Sequence, residues 1–130
     1  MEIEEFFSRK YNYVVVGATA NENKYGYKIF KALLDANWKV FGINPKTKEI
    51  LGQKVYWELG VIPQKIDVVD FVTQPKITLK VLEDVKKLGI KKVWFQPGSW
   101  DAECINFCMY NHIDFIKDFC LLKAVLDKNE

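Results

Sequence analysis

The sequence predicts an α/β domain: a doubly wound, mainly parallel sheet of five strands with helices on both faces. Three observations carry this. Short apolar runs alternate with segments whose apolar residues recur at helical spacing. The runs carry almost no charge, as strands covered on both faces require. The chain has 130 residues, 49% of them hydrophobic, enough for a single domain over residues 1–130 with a real core.

Residues 2–8, with Ile3, Phe6 and Phe7, read as a leading helical segment that docks on the sheet. Tyr13-Val14-Val15-Val16, ended by Gly17, reads as a buried first strand. Gly26, Ile29, Phe30, Leu33 and Leu34 then mark one face of a helix. Trp38 to Ile43 is the second strand, closed by Asn44-Pro45. Between Lys46 and Gln64 the pattern weakens, and Ile50-Leu51-Gly52 with Val55-Tyr56 suggest a hairpin-like excursion and a short helical turn. Ile66 to Val72 is the third strand, with Asp67 and Asp70 its only charges. Pro75 opens a helix that Gly89 stops. Val93-Trp94-Phe95 is the fourth strand, followed by Gln96-Pro97-Gly98 and a helix from about Asp101 to Asn111. Ile113 to Ile116 is the fifth strand, and Leu121, Leu122, Val125 and Leu126 mark a last short helix.

Composition narrows the function classes. The net charge of +2 supplies no one-signed field for nucleic acid or an anionic membrane. All basic residues but Arg9 are lysines, which argues against bidentate arginine readers of phosphates or bases. An aromatic content of 15% excludes a disordered chain. No apolar run reaches the roughly 18–20 residues that span a bilayer. The acidic start does not read as a signal peptide, and three unpatterned cysteines do not read as a disulfide framework. The expectation is a reduced, cytoplasmic protein.

In such a sheet, ligands sit beyond the carboxyl ends of the strands where strand order reverses. The residues that matter are therefore Gly17-Ala18-Thr19-Ala20, Asn44-Pro45, Thr73-Gln74-Pro75, Gln96-Pro97-Gly98-Ser99 and Asp118. Small residues after the first strand let a backbone approach a phosphate, and the next helix offers unpaired N–H groups there. Asn21 or Asn23 is a candidate cap, and Lys24 adds a charge. A plain tight turn fits the same residues. Gly17 and Gly26 stand nine apart, so the dinucleotide fingerprint of three glycines within six residues is absent. The second strand ends in Ile43-Asn44-Pro45-Lys46-Thr47-Lys48, without the acid that holds a free ribose diol and with two lysines. That suits a ribose bearing a phosphate, as in NADP or coenzyme A, although for Lys46 and Lys48 taken alone a solvated turn is the simpler reading.

Several blocks then resemble a known family: Val15-Val16-Gly17-Ala18-Thr19, Lys24-Tyr25-Gly26-Tyr27, Val40-Phe41-Gly42-Ile43-Asn44-Pro45 and Ile50-Leu51-Gly52-Gln53-Lys54-Val55-Tyr56. Ile66-Asp67-Val68-Val69-Asp70 and Val93-Trp94-Phe95-Gln96-Pro97-Gly98 continue the series in the same order. Together, over roughly residues 10 to 120, they look like the small CoA-binding domain proteins. These are single-domain relatives of the N-terminal domain of the succinyl-CoA synthetase α subunit. The resemblance implies a Rossmann-like, nucleotide-binding fold. It implies CoA phosphates on Gly17, Ala18 and Thr19 and on the helix start at Lys24, Tyr25 and Gly26. Asn44 and Pro45 would border the adenosine end, and Val72, Thr73, Gln96, Pro97 and Gly98 would line the ligand's path. The family often has a basic residue after the third strand and an Asp-Arg-Cys segment near the end; here the chain has Thr73-Gln74 and Asp118-Phe119-Cys120.

Other groups read more plainly as structure. Cys104 and Cys108 lie one helical turn apart with Cys120 twelve residues on, which matches no metal pattern; core packing is the first reading and a redox pair the second. His112, the single histidine, closes a helix with no orienting partner, and no catalytic residue or metal site is assigned. Asp67 and Asp70, three apart on a strand, face opposite sides. Trp100, Tyr25 and Tyr27 could pack on an adenine or a pantetheine arm, or simply cover the sheet.

The reading is a small cytoplasmic protein that binds coenzyme A or an acyl-CoA without catalysis of its own, with a homo-oligomer left open. Main-chain amides at Gly17–Thr19 would hold the diphosphate, Lys24 would assist, and Lys46 or Lys48 would meet the 3′-phosphate. Replacing Gly17 by Val would abolish CoA binding with the fold intact. The alternatives are an NADP-binding oxidoreductase or redox sensor, and an interaction module presenting Tyr56, Trp57 and Leu59.

Overall fold

The computed structural model describes residues 2–119 and 121–128. After a 3-10 turn at Ile3–Phe6, the elements are β1 (Asn12–Val16), α1 (Tyr25–Asp35), β2 (Lys39–Ile43), β3 (Glu49–Ile50) and β4 (Gln53–Tyr56). A second 3-10 turn at Leu59–Val61 precedes β5 (Val68–Phe71), α2 (Pro75–Lys87), β6 (Lys92–Phe95), α3 (Ala102–Tyr110), β7 (Asp114–Lys117) and α4 (Leu121–Lys128).

The strands form one sheet in the order β3-β4-β2-β1-β5-β6-β7, parallel except for β3. The five long strands stand where the apolar runs place them. The count is seven rather than five because the excursion after β2 returns to the sheet edge. Leu51 and Gly52, both at positive φ, turn β3 into β4. β4 then pairs with β2 at Gly42↔Val55 and Ile43↔Tyr56. Both strands begin with exposed polar residues, Glu49 in β3 and Gln53 and Lys54 in β4, so neither presents an apolar run.

β1 is the central strand, flanked by β2 and β5. Tyr13 to Val16 are all buried, which explains a run without polar alternation. Full burial of each such aliphatic side chain is worth about 1.5–3 kcal/mol. On one face, Val15, Val68 and Trp94 meet Ile29, Phe30 and Leu33 of α1 and Leu121 and Val125 of α4. On the other, Val14, Val69 and Val93 meet Leu82 and Val85 of α2 and Cys104 and Cys108 of α3. The leading turn closes the first face: Phe6 is buried and sets its ring edge-on to Trp94 at 6.2 Å. The Tyr13 hydroxyl ties it down, donating to the Phe6 carbonyl at 2.7 Å and accepting from the Ser8 amide at 3.0 Å. Burial raises the Tyr13 pKa above the ordinary phenol value, so the hydroxyl stays neutral.

After β1 the chain passes through α1 to β2 on one side of β1, and later re-enters the sheet at β5 on its other side. The order therefore reverses between β1 and β5, and the crevice beyond their carboxyl ends is the topological switch point.

Candidate functional site

The switch point is bordered by the β1–α1 turn and by the residues after β5. Two backbone bonds fix the exit of β1. The Gly17 amide donates to the Ile43 carbonyl at 3.1 Å, and the Val72 amide donates to the Val16 carbonyl at 3.0 Å. Gly17 has φ +103, outside the range ordinary side chains adopt, and a Cβ there would stand 2.6 Å from Val72 Cγ2. Gly26, in the first turn of α1, lies against this turn: a Cβ on it would be 2.1 Å from the Gly17 carbonyl oxygen. Gly26 thus does what the last glycine of a dinucleotide fingerprint does, allowing close helix–strand packing, although its spacing from Gly17 differs. The expectation that Gly17→Val leaves the fold intact is revised: the backbone angle and Val72 both demand glycine, so bulk here strains the fold before it reaches any ligand.

Ala18 is buried and Thr19 half-buried. The loop is pinned by local turns: the Asn21 amide donates to Thr19 Oγ1 at 3.2 Å, and the Asn23 amide donates to Asn21 Oδ1 at 3.0 Å. Neither Asn21 nor Asn23 is the cap of α1. The N-cap is Lys24, in extended conformation, and it gives no side-chain capping bond. The N-cap of α2, Gln74, gives none either. The helices that start on the two sides of the switch point therefore carry no capping side chain; the Tyr27 and Ile77 amides are held instead by the Lys24 and Gln74 carbonyls at 3.2 and 3.0 Å. By contrast α3, farther along the sheet, is capped by Asp101, whose Oδ1 accepts from the Cys104 amide at 3.1 Å. Two uncapped helix starts present partial positive charge to the crevice with no carboxylate in the cap position.

Asn44 is a brace that its sequence position did not reveal. Its Nδ2 donates to the Ala18 carbonyl at 2.9 Å, its Oδ1 accepts from the Lys46 amide at 2.8 Å, and its own amide donates to the Tyr56 carbonyl at 3.0 Å. One residue, by its side chain and its main-chain amide, so links the ends of β2 and β4 to the β1–α1 turn. Pro45 and Lys46 stay exposed on the rim, as does Lys24, while Tyr25 and Tyr27 are half-buried against the α1-side core. Opposite them, Val72 is half-buried, and the Thr73 hydroxyl is 2.8 Å from that of Thr78 in the first turn of α2.

The structure brings Gly17, Ala18, Thr19, Gly26, Asn44, Val72 and Thr73 to one corner. Gln96 ends β6 differently from the expectation of a ligand-facing side chain. It is buried, donates from Nε2 to Asp70 Oδ1 at 2.6 Å, and accepts at Oε1 from the Leu121 amide at 3.3 Å. Pro97 and Gly98 follow it, exposed, in a turn closed by the Ser99 amide on the Gln96 carbonyl at 3.0 Å. Asp70 is fully buried, and its Oδ2 has no partner among the described residues. Burial pushes its pKa up to about 7, against the opposing pull of the Gln96 bond. No sequence signal marks this pair, because the register of β5 against β6 is a tertiary fact.

The remaining candidates settle into the scaffold. Asp67 precedes β5 and accepts from the Asn12 amide at 2.8 Å. Trp94 is in the core, its Nε1 donating to the Phe119 carbonyl at 2.8 Å. Trp100 packs with the α2–α3 side, under Lys117 Nζ at 4.7 Å from the ring centroid. Cys104 and Cys108 are buried free thiols, raised by burial to about 11 and about 12, which leaves them unreactive at neutral pH. Cys120 lies outside the described residues. Among the described residues no group of three His, Cys, Asp or Glu is placed to hold a metal ion, and no helix is long and apolar enough to cross a membrane. The cavities away from the corner include one of about 210 Å³ near the amino ends of β5 and β6, lined by Leu59, Ile66 and Ile90.

Fold, switch point and glycine-packed turn together define a Rossmann-like α/β domain. Residues 11–125 match the CoA binding domain family, and the chain belongs to that family. It is 37% identical over 87 residues to an ADP-forming acetate–CoA ligase from Methanocaldococcus jannaschii, an alignment covering 67% of this chain and 12% of the ligase. The chain therefore spans only a small part of that enzyme's length. It is 26% identical over 123 residues to protein YneT of Bacillus subtilis, covering 95% of this chain and 91% of that one. A solved structure of a conserved hypothetical protein from Pyrococcus furiosus superposes with a TM-score of 0.84 at 34% identity, covering 88% of this chain and 98% of that one.

Proposed function

We propose that this chain binds coenzyme A or an acyl-CoA in the switch-point crevice and catalyses no reaction by itself. The diphosphate would lie on the main-chain amides of the Gly17–Thr19 turn and the start of α1. The observation that carries this is the corner itself: two uncapped helix starts facing a turn packed so closely that Gly26 has no room for a Cβ. Lys24 on the rim adds a charge suited to an anion, and Lys46 sits where the adenosine end with its 3′-phosphate would emerge. Family membership supports coenzyme A over NADP, and the absence of an acid at the end of β2 disfavours a ribose diol. Gln96 is spent on internal bonds to Asp70 and to the Leu121 amide, which favours binding over chemistry by that side chain.

The test is thermal stability against CoA, acetyl-CoA, NAD, NADP and ATP. A ligand at about a hundred times its dissociation constant stabilises by about 2.7 kcal/mol. Stabilisation by CoA and acetyl-CoA, and not by NAD, is expected. A response to NADP alone would move the assignment to a redox cofactor, and no response to any of the five would remove it.

A further inference from the structure

The exposed aromatic side chains include one next to the proposed site. Trp57 directly follows β4 and is 61% exposed. An exposed indole offers a flat apolar face on which a planar ring can stack. Its position is set by the edge pairing. β4 runs parallel to β2 with Ile43 opposite Tyr56, so the next register step sets Trp57 beside Asn44. Val55 packs in the α1-side core and Tyr56 with the opposite cluster; β4 ends at Tyr56, and Trp57 opens the bend that follows, at the same carboxyl end of the sheet where Asn44 reaches the Ala18 carbonyl. Gly42, two register pairs earlier, has Ala18 Cβ and Val55 Cγ2 within 3.1 and 3.5 Å of where its own Cβ would lie. The face from the β1 turn to β4 is thus continuous and closely spaced. Trp57 stands two strand spacings from β1, about 10 Å, which matches the reach of a nucleoside from its 5′-phosphate to its base. Lys46, two residues after Asn44, is exposed on the same rim.

Resting on the coenzyme A reading above, we infer that Trp57 is the stacking platform for the purine base of the bound nucleotide. Asn44 holds the β2 turn that separates it from the diphosphate corner. The hairpin β3–β4 then has a function: it carries the aromatic platform to the sheet edge.

The test uses the full chain and three probes: CoA, adenosine 3′,5′-bisphosphate and 4′-phosphopantetheine, measured calorimetrically with wild type, Trp57→Phe and Trp57→Ala. Base–aromatic stacking is strong enough that Trp57→Ala should weaken CoA and the bisphosphate by about tenfold. Trp57→Phe, which keeps a ring, should stay within about threefold of wild type. Phosphopantetheine, which has no base, should bind all three equally. An exposed position leaves the fold unaltered, which the melting temperatures check. Equal CoA affinity in wild type and Trp57→Ala overturns the inference and leaves the coenzyme A reading standing. Equal weakening of phosphopantetheine also overturns it, by showing that the residue shapes the site rather than stacks on a base. Failure of wild type to bind CoA overturns the reading and this inference together.

Discussion

Asp70 gives the fold a pH dependence whose size follows from its surroundings. The side chain is fully buried in β5, accepts one bond from Gln96, and leaves Oδ2 unpartnered among the described residues. Desolvation raises its pKa from 3.8 to about 7. The folded chain therefore keeps this proton up to about pH 7, whereas the unfolded chain releases it near the ordinary carboxylate value. Between those values the folded state binds more protons than the unfolded state, so stability falls as pH rises. The contribution is fully present below about pH 4, is lost as pH climbs through about 7, and totals about 4 kcal/mol at 1.36 kcal/mol per unit. That is a large fraction of the 5–15 kcal/mol typical of a domain. Asp70→Asn removes the titration and keeps an acceptor for Gln96. Urea unfolding of both proteins from about pH 4 to about pH 8 isolates the effect, because other carboxylates are common to the two. The stability of Asp70→Asn relative to wild type should rise steadily across that range. Parallel stability curves for the two proteins would refute the burial argument.

Other substitutions separate the scaffold from the site. Gly26→Ala places a methyl group 2.1 Å from the Gly17 carbonyl oxygen, so the melting temperature should drop, with overpacking costing about 1–3 kcal/mol or more, and CoA affinity should fall with it. Asn44→Asp replaces the donor to the Ala18 carbonyl by a carboxylate beside the proposed diphosphate site; calorimetry should show CoA affinity at least about tenfold weaker, with a loss of about 1–3 kcal/mol in stability. Asp101→Ala removes the cap of α3 away from the crevice; denaturation should report a loss of about 1 kcal/mol, and CoA affinity should be unchanged.

Much of this architecture is legible in the residues because its determinants are local. Val14, Val15 and Val16 announce a strand buried on both faces, and Ile29, Phe30 and Leu33 a helix with one apolar side. Pro75 marks the start of α2. What stays hidden depends on register between distant segments. The joining of β4 to β2 rests on two residue pairs, and Asn44 acquires its role only once β2 lies beside β1. Gln96 looks like a rim residue until parallel pairing of β5 with β6 sets it on the same face as Asp70. The cap of α1 follows the same rule: Asn21 has a capping side chain, but a local turn uses it three residues before the cap position, which Lys24 takes. Gly17 and Gly26 stand out in the sequence, yet their nine-residue spacing conceals that one packs on the other.

The central claim is that main-chain amides at the β1–α1 corner hold the diphosphate of coenzyme A. Amide chemical shifts followed by NMR during a titration with CoA test it most directly. The largest changes should fall on Ala18, Thr19, Tyr25 and Gly26, with smaller ones at Thr73 and Asn44 and little movement at Cys104 or Cys108. Saturable changes centred anywhere else on the chain would contradict the account.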